Sequence, residues 1–206
     1  MAEDIEMSCQ CGAFTASISA AAYDTSNHGI CYCADCQAFA RHLGQDGRIF
    51  DAQGGTEVFQ TETGYLTLES GAENLALLKL RPKGLYRWFA ACCNTPLMNT
   101  VGEPKIAFVG ILAANLNTPS DQLGPVRFRY KTEQALGPVS EPKGSIPGFV
   151  WRSLRLIIGA RLSGRWTSSP LFDAETGHSV VAPITLTEED RLRAYSSGSA
   201  QDSRET

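Results

Sequence analysis

Seven cysteines stand in this chain, and they fall in three groups: Cys9 and Cys11, then Cys31, Cys33 and Cys36, then Cys92 and Cys93. No other feature restricts the fold as strongly, because thiols gathered this closely must be coordinated, cross-linked or buried together. Disulfides are rare where glutathione keeps thiols reduced, and an odd count leaves one over. Free cysteine also fills cores as a small apolar side chain. None of the seven stands alone, however, and that clustering favours metal binding over core filling.

The rest of the sequence sets the background. At 206 residues the chain suits one domain with an appendage, and it can bury a sizeable core. A net charge of −4 lacks the basic field that attracts phosphates, so no nucleic-acid partner is expected. No apolar run approaches the roughly 18 residues needed to span a bilayer, so no membrane partner is expected either. The opening "MAEDIEMSCQ" lacks the basic and then apolar pattern of a secretory signal, which makes a cytoplasmic location the default.

Strand signals dominate the first two thirds. Alternation after the "CQCG" turn predicts a half-buried strand up to about residue 19. Further strands are predicted at "RIFDAQ", "EVFQT", "LALLKL", "LYRWFA" and "KIAFVGIL", punctuated by "GG", "RPKG" and "CNTP". "CQAFARHL" suits two helical turns beginning at Cys36. The expectation is a mainly β, mostly antiparallel domain over residues 1–137. Residues 138–195 form a C-terminal helical and extended extension. Within it, "FVWRSLRLIIGARL" reads as a helix from near Pro147, with Arg152, Arg155, Arg161 and Arg165 along it or just past its end. Such a basic amphipathic helix can lie on a membrane or dock into a partner, but more often packs on its own sheet with its arginines outward, which is the expectation here. "TEEDRLRAY" reads as a short helix with Thr187 and Asp190 spaced as a capping box, and residues 196–206 as a disordered tail.

Zinc suits a thiolate cluster, being redox-inert and content with sulfur in a tetrahedron. Four protein ligands close a structural site, whereas three leave a position for water or substrate. Cys31, Cys33 and Cys36 can supply such an open site from one tight turn. Cys9 and Cys11, joined by Cys92 or Cys93, make a second site tying the first strand to a distant one.

The order CxCG, CxCxxC, then a cysteine pair before "TPL" resembles the glutathione-dependent formaldehyde-activating enzymes, over roughly residues 7–115. The resemblance is strongest at "SCQCGAF", "CYCADCQAF" and "YRWFAACCNTPL". It implies the tent-like β fold of Mss4-type proteins, a zinc at each cluster, and condensation of formaldehyde with glutathione to S-hydroxymethylglutathione. It makes Cys31, Cys33 and Cys36 catalytic zinc ligands and Cys9 and Cys11 half of the structural set. Where the family has a later CxxC followed by glycine, this chain reads "FAACCNT", with Ala90 at the first cysteine position, Cys93 at the second and Asn94 at the glycine. Either Cys92 replaces the missing ligand through a changed turn, or the site has three thiolates. Adjacent strand residues point to opposite faces, so both can ligate one ion only where the chain turns.

The family's basic residues around the triplet are replaced by Tyr32 and Gln37, which points to a different thiol or none; Arg41, Arg48 and Arg87 are the cations that could stand in. His28 is close enough to be a spare ligand, although a hydrogen-bonded structural histidine is the simpler reading for it, for His42 and for His178. The function expected is a zinc-dependent carbon–sulfur lyase acting on a glutathione-like thiol and a small aldehyde. The alternatives are a zinc-stabilised binding module, as the related scaffold of centromere protein V illustrates, or a thiol redox sensor.

Overall fold

A computed structural model describes residues 3–196. A hairpin of β1 (Ile5–Ser8) and β2 (Thr15–Ile18) carries Cys9 and Cys11 in its turn. β3 (Asn27–Cys31) runs into the triplet, and α1 (Ala34–His42) leaves it. There follow α2 (Asp46–Ile49), β4 (Thr56–Glu62), β5 (Leu66–Ser70), β6 (Leu75–Lys79), β7 (Tyr86–Ala90), β8 (Thr95–Thr100), β9 (Phe108–Leu112) and β10 (Phe128–Tyr130). The chain continues through α3 (Ile146–Ser163), β11 (Ile184–Thr185) and α4 (Glu188–Ser196). The tail expected over 196–206 lies outside the described residues, apart from Ser196 at the end of α4.

The protein is mainly β. Eight strands form one sheet in the order β10-β3-β4-β9-β8-β7-β6-β11, and β1-β2-β5 form a smaller one. The large sheet is antiparallel except at its margins, where β10 joins β3 and β11 joins β6 in parallel. Apart from those two margins the pairing is antiparallel, as the mostly antiparallel expectation has it. The small sheet covers one face of the large one: Ile5, Phe14 and Ile18 share a core with Phe59, Leu77, Trp88, Leu97 and Ile111. Strand alternation sends the neighbours of these residues to the other face, where Leu78 and Phe89 meet Phe39 of α1, Leu43 at its C-cap and Ala194 of α4.

Local chemistry explains where the strand expectations failed. "RIFDAQ" is not a strand. Its start lies in α2, and Phe50 makes one isolated bridge to Thr56. Asp51 is responsible, because its carboxylate accepts the amides of Gln53 at 2.9 Å and Gly55 at 2.7 Å and closes a turn before the run can pair. Conversely "TPLMNT" is a strand despite Pro96, which has no amide to give to the ladder; the pairing shifts register between Trp88 and Phe89 opposite it.

In the C-terminal part, α3 is capped by Ser145, whose Oγ accepts the Gly148 amide at 3.0 Å, and Pro147 sits in its first turn. It ends at Gly164 in the left-handed region, φ 75°. Thr187 Oγ1 accepts the Asp190 amide at 3.1 Å and starts α4. No helix among the described residues is long and apolar enough to cross a membrane.

His28, 2% exposed, lies away from both cysteine groups. Its Nδ1 faces the Gly124 carbonyl at 2.7 Å and its Nε2 faces a Glu57 carboxylate oxygen at 2.7 Å. Both the Gly124 carbonyl and an ionised Glu57 accept, so the doubly protonated ring satisfies both contacts at once. Burial opposes that charge, but the bonds to Glu57 and Gly124 outweigh it and raise the His28 pKa above 6.5. The bond from His28 lowers the Glu57 pKa below 4.5, assisted by one from Ser120. The raised histidine contributes its stability below 6.5 and loses it as pH rises through the folded pKa. The lowered carboxyl contributes above 4.5 and loses its share as pH falls through its folded pKa. Unfolding free energies from urea titrations of the wild type, relative to those of His28→Phe, should therefore be highest between pH 4.5 and 6.5 and decline on either side by about 1 kcal/mol.

Candidate metal centres

The first centre forms where two turns meet. β1 ends at Ser8, and the chain reverses through Gly12, whose φ of 75° suits glycine. The Phe14 amide donates to Cys9 Sγ at 3.3 Å, fixing that sulfur. Opposite lies the β7–β8 turn, bound by the Gln10 amide donating to Thr95 Oγ1 at 3.1 Å. Cys92 and Cys93 occupy this turn rather than a strand, which is why neighbours in sequence can face one point. Asn94 makes it possible by taking a left-handed φ of 54°, the conformation asparagine tolerates better than other side-chain-bearing residues.

Cys9, Cys11, Cys92 and Cys93 thus stand with all four sulfurs within 4.8 Å of one another. Cys9 is 3.6 Å from Cys11 and 3.8 Å from Cys92, Cys11 is 3.4 Å from Cys92, and Cys92 is 3.8 Å from Cys93. A tetrahedron of sulfurs at about 2.3 Å from a central ion has edges of about 3.8 Å. All seven cysteines are free thiols, so the spacing reflects convergence and not cross-linking. Four sulfurs in this arrangement can hold a metal ion.

Cys93 is the acidic member. Burial opposes its charge, but bonds from Thr95 and the Cys11 amide outweigh it and bring the pKa to about 6. Desolvation and contacts with Cys11 and Cys9 push Cys92 up to about 12. Ala90, where the resemblance places a cysteine, is fully buried at the end of β7 and contributes nothing to the group.

The second centre forms at the head of α1. Cys31 ends β3, Cys33 is the helix N-cap, and Cys36 lies in the first turn. The Cys36 amide donates to Cys33 Sγ at 3.4 Å, so that sulfur does the work of a capping oxygen. Cys36 Sγ lies 3.7 Å from Cys31 Sγ, and the three sulfurs lie within 4.8 Å of one another. No fourth cysteine, histidine or carboxylate joins them among the described residues. The triplet too can hold a metal ion.

Arg87 reaches this group from the sheet. It is 2% exposed, and its Nη1 donates to Cys36 Sγ at 3.5 Å and to Asn99 Oδ1 at 2.9 Å. Its guanidinium also lies 5.7 Å from the centre of the Phe39 ring. Bonds from Cys31 and Cys33, reinforced by the Arg87 charge, hold the Cys36 thiol well below its usual range. Cys31 is pushed up by its bonds with Cys33 and Cys36 and by burial. Cys33 is pulled down by Cys31 but raised further, to about 11, by Cys36 and burial. One thiolate is favoured, and the others ionise only with help from a cation.

The other polar residues singled out from sequence serve the fold. Tyr32 is buried and donates to Asp51 at 3.0 Å. Gln37 is buried and donates to the carbonyls of Tyr32 and Gln134, each at 2.9 Å. Arg41 donates to Gln37, and Arg48 to Ala114 and Asn115. His28, offered as a spare ligand, is held by Glu57 and Gly124 instead. Of the three cations offered as stand-ins, Arg87 is the one that reaches the triplet, because alternation in β7 sends it to the face opposite Trp88 and toward α1. Gln134, whose Oε1 accepts the Ala34 amide at 2.8 Å, had no signal, being about a hundred residues away in sequence.

A mainly β protein with two separate thiol groups, one of four and one of three, is the class that this fold and these sites define. The chain belongs to a family of unknown function, DUF6151, whose model matches residues 1–184. No curated protein matches it. Among solved structures it is similar to a Rhodobacter sphaeroides protein at 20% identity and a TM-score of 0.40, covering 61% of this chain and 99% of that one.

Asn94→Val should strain the turn that brings Cys92 and Cys93 together. At roughly 1–2 kcal/mol for a side chain forced left-handed, the melting temperature should fall by about 2–8 °C. Asn94→Gly should leave it unchanged or raised, and calorimetry of the three proteins checks this.

Proposed function

We propose that the protein is a zinc enzyme of the carbon–sulfur lyase type, joining a glutathione-like thiol to a small aldehyde. The observation carrying this reading is the triplet: three converged sulfurs with no fourth protein ligand among the described residues, set on a helix N-terminus beside a buried arginine. Cys31, Cys33 and Cys36 suit zinc by the softness of sulfur and by their number, which is that of an open site. Cys9, Cys11, Cys92 and Cys93 suit the closed, structural kind. Zinc at the triplet would offer an arriving thiol a position at which its sulfur is deprotonated.

The chain's own residues meet the electrostatic demand of this chemistry. Three thiolates on a divalent ion leave one negative charge, and an incoming thiolate adds another. Arg87 and the amides at the head of α1 face that charge. In the reaction the thiol sulfur bonds to the aldehyde carbon, the carbonyl π pair moves to oxygen, and the thiol proton ends on that oxygen. Atoms and electrons balance without a further reactant. So much negative charge suits sulfur chemistry better than activation of water, which disfavours hydrolysis.

A second reading, a zinc-stabilised binding module, draws support from Tyr32 and Gln37. Both are buried and spent on internal hydrogen bonds, so neither reads a substrate carboxylate.

Metal stoichiometry decides between them. Two equivalents of zinc are expected in the wild type and one in Cys33→Ser, with the fold retained by circular dichroism. Glutathione should perturb the spectrum of a cobalt-substituted triplet, and formaldehyde should then be consumed only by the wild type. Metal indifferent to every thiol would favour the module, and collapse of Cys33→Ser would give the triplet a structural role.

A further inference from the structure

Among the described residues, the outer face of α3 has no partner. Its inner face is seated: Leu156 and Ala160 are buried, and the Phe149 ring lies 4.4 Å from that of Phe128. Just past its end, Arg165 grips the buried carboxylate of Glu62 through bonds of 2.7 and 3.0 Å. The opposite face exposes Val150 (46%), Trp151 (69%), Leu154 (46%), Ile158 (54%) and Leu162 (84%). The steps from Trp151 to Leu154, Ile158 and Leu162 keep them on one stripe. At about 100° per residue, Arg155 falls on one flank of that stripe and Arg161 on the other.

We propose that this face binds the surface of an anionic lipid bilayer, the helix lying in the interface plane. Charge chooses the occupant. Residues 146–163 contain Arg152, Arg155 and Arg161 and no acidic residue, although the whole chain carries −4. Asp24 lines a groove with Arg152 and Arg155, but no ion pair joins it to either among the described residues. An apolar stripe with arginines on both flanks lets side chains enter the acyl boundary while the guanidinium groups reach lipid phosphates. An indole at the edge of such a stripe suits the interface. A second copy of the chain fits less well, since stacking two such stripes brings Arg155 and Arg161 of each copy against those of the other. The sheet holds the helix in place, so no ordering is required before it meets a membrane.

Co-sedimentation of the full chain with phosphatidylcholine vesicles, with and without phosphatidylserine, tests this. Binding is expected only to the phosphatidylserine vesicles and should weaken with added salt. Arg155→Gln combined with Arg161→Gln should partition about thirtyfold less. Trp151→Ser combined with Leu162→Ser should bind little, with the melting temperature of all variants unchanged because the sites are exposed. No binding by folded protein, or equal binding to both vesicle types, overturns the proposal. So does a concentration-dependent dimer in sedimentation velocity that Leu162→Ser abolishes, which would assign the face to a second copy.

Discussion

A thiol that has lost its proton makes the next one harder to ionise, and three sulfurs in contact feel this strongly. The triplet confines the charge to Cys36, the sulfur that Arg87 touches. Arg87 is in turn fixed by Asn99 and by the face of Phe39. Removing a buried cation of this kind exposes an uncompensated charge, which ordinarily costs about 3–5 kcal/mol. The junction between sheet and first helix thus depends on one electrostatic contact, which strand alternation in β7 places within reach of α1.

α1 also relates the two centres. Its first turn holds Cys33 and Cys36, and Gln45, a few residues past its other end, donates to the Cys93 carbonyl at 3.3 Å. Nine helical residues span about 14 Å, so the centres lie near opposite ends of one short rod. They also have different mechanical duties. The group of four links the β1–β2 turn to the β7–β8 turn and so ties the small sheet to the large one. The triplet's own three cysteines come from the adjacent β3 and α1, and its tie to a distant strand runs through Arg87 rather than through a sulfur. Such a division suits one centre for holding the molecule together and the other for meeting a ligand.

Much of this was legible from residue types alone. Cysteine spacing announced both groups, and apolar alternation announced β6, β7 and β9. Pro147 marked the start of α3, while the Ser145 cap and the Gly164 stop emerged only in the structure. What escaped depended on distant partners. The strand character of "TPLMNT" needed a register shift across from Pro96, and "RIFDAQ" lost its strand to a carboxylate turn at Asp51. Whether Cys92 could join Cys93 rested on Asn94 turning left-handed, which the letters permit but do not dictate. β10 and β11 are too short to carry a periodic signal and exist because neighbouring edges offer them hydrogen bonds.

The last of these has a bearing on how the sheet is guarded. β11 lies along β6 through Ile184 and Thr185, the Leu186 amide donates to Lys79 at 2.9 Å, and α4 then covers α1. Without residues 184–196 the β6 margin would have unpaired backbone groups, and Phe39 and Leu43 would lack part of their cover. An open sheet margin invites strands from other chains. Residues 184–196 therefore act as a built-in guard, closing from within the same chain a margin at which strands of other molecules could add.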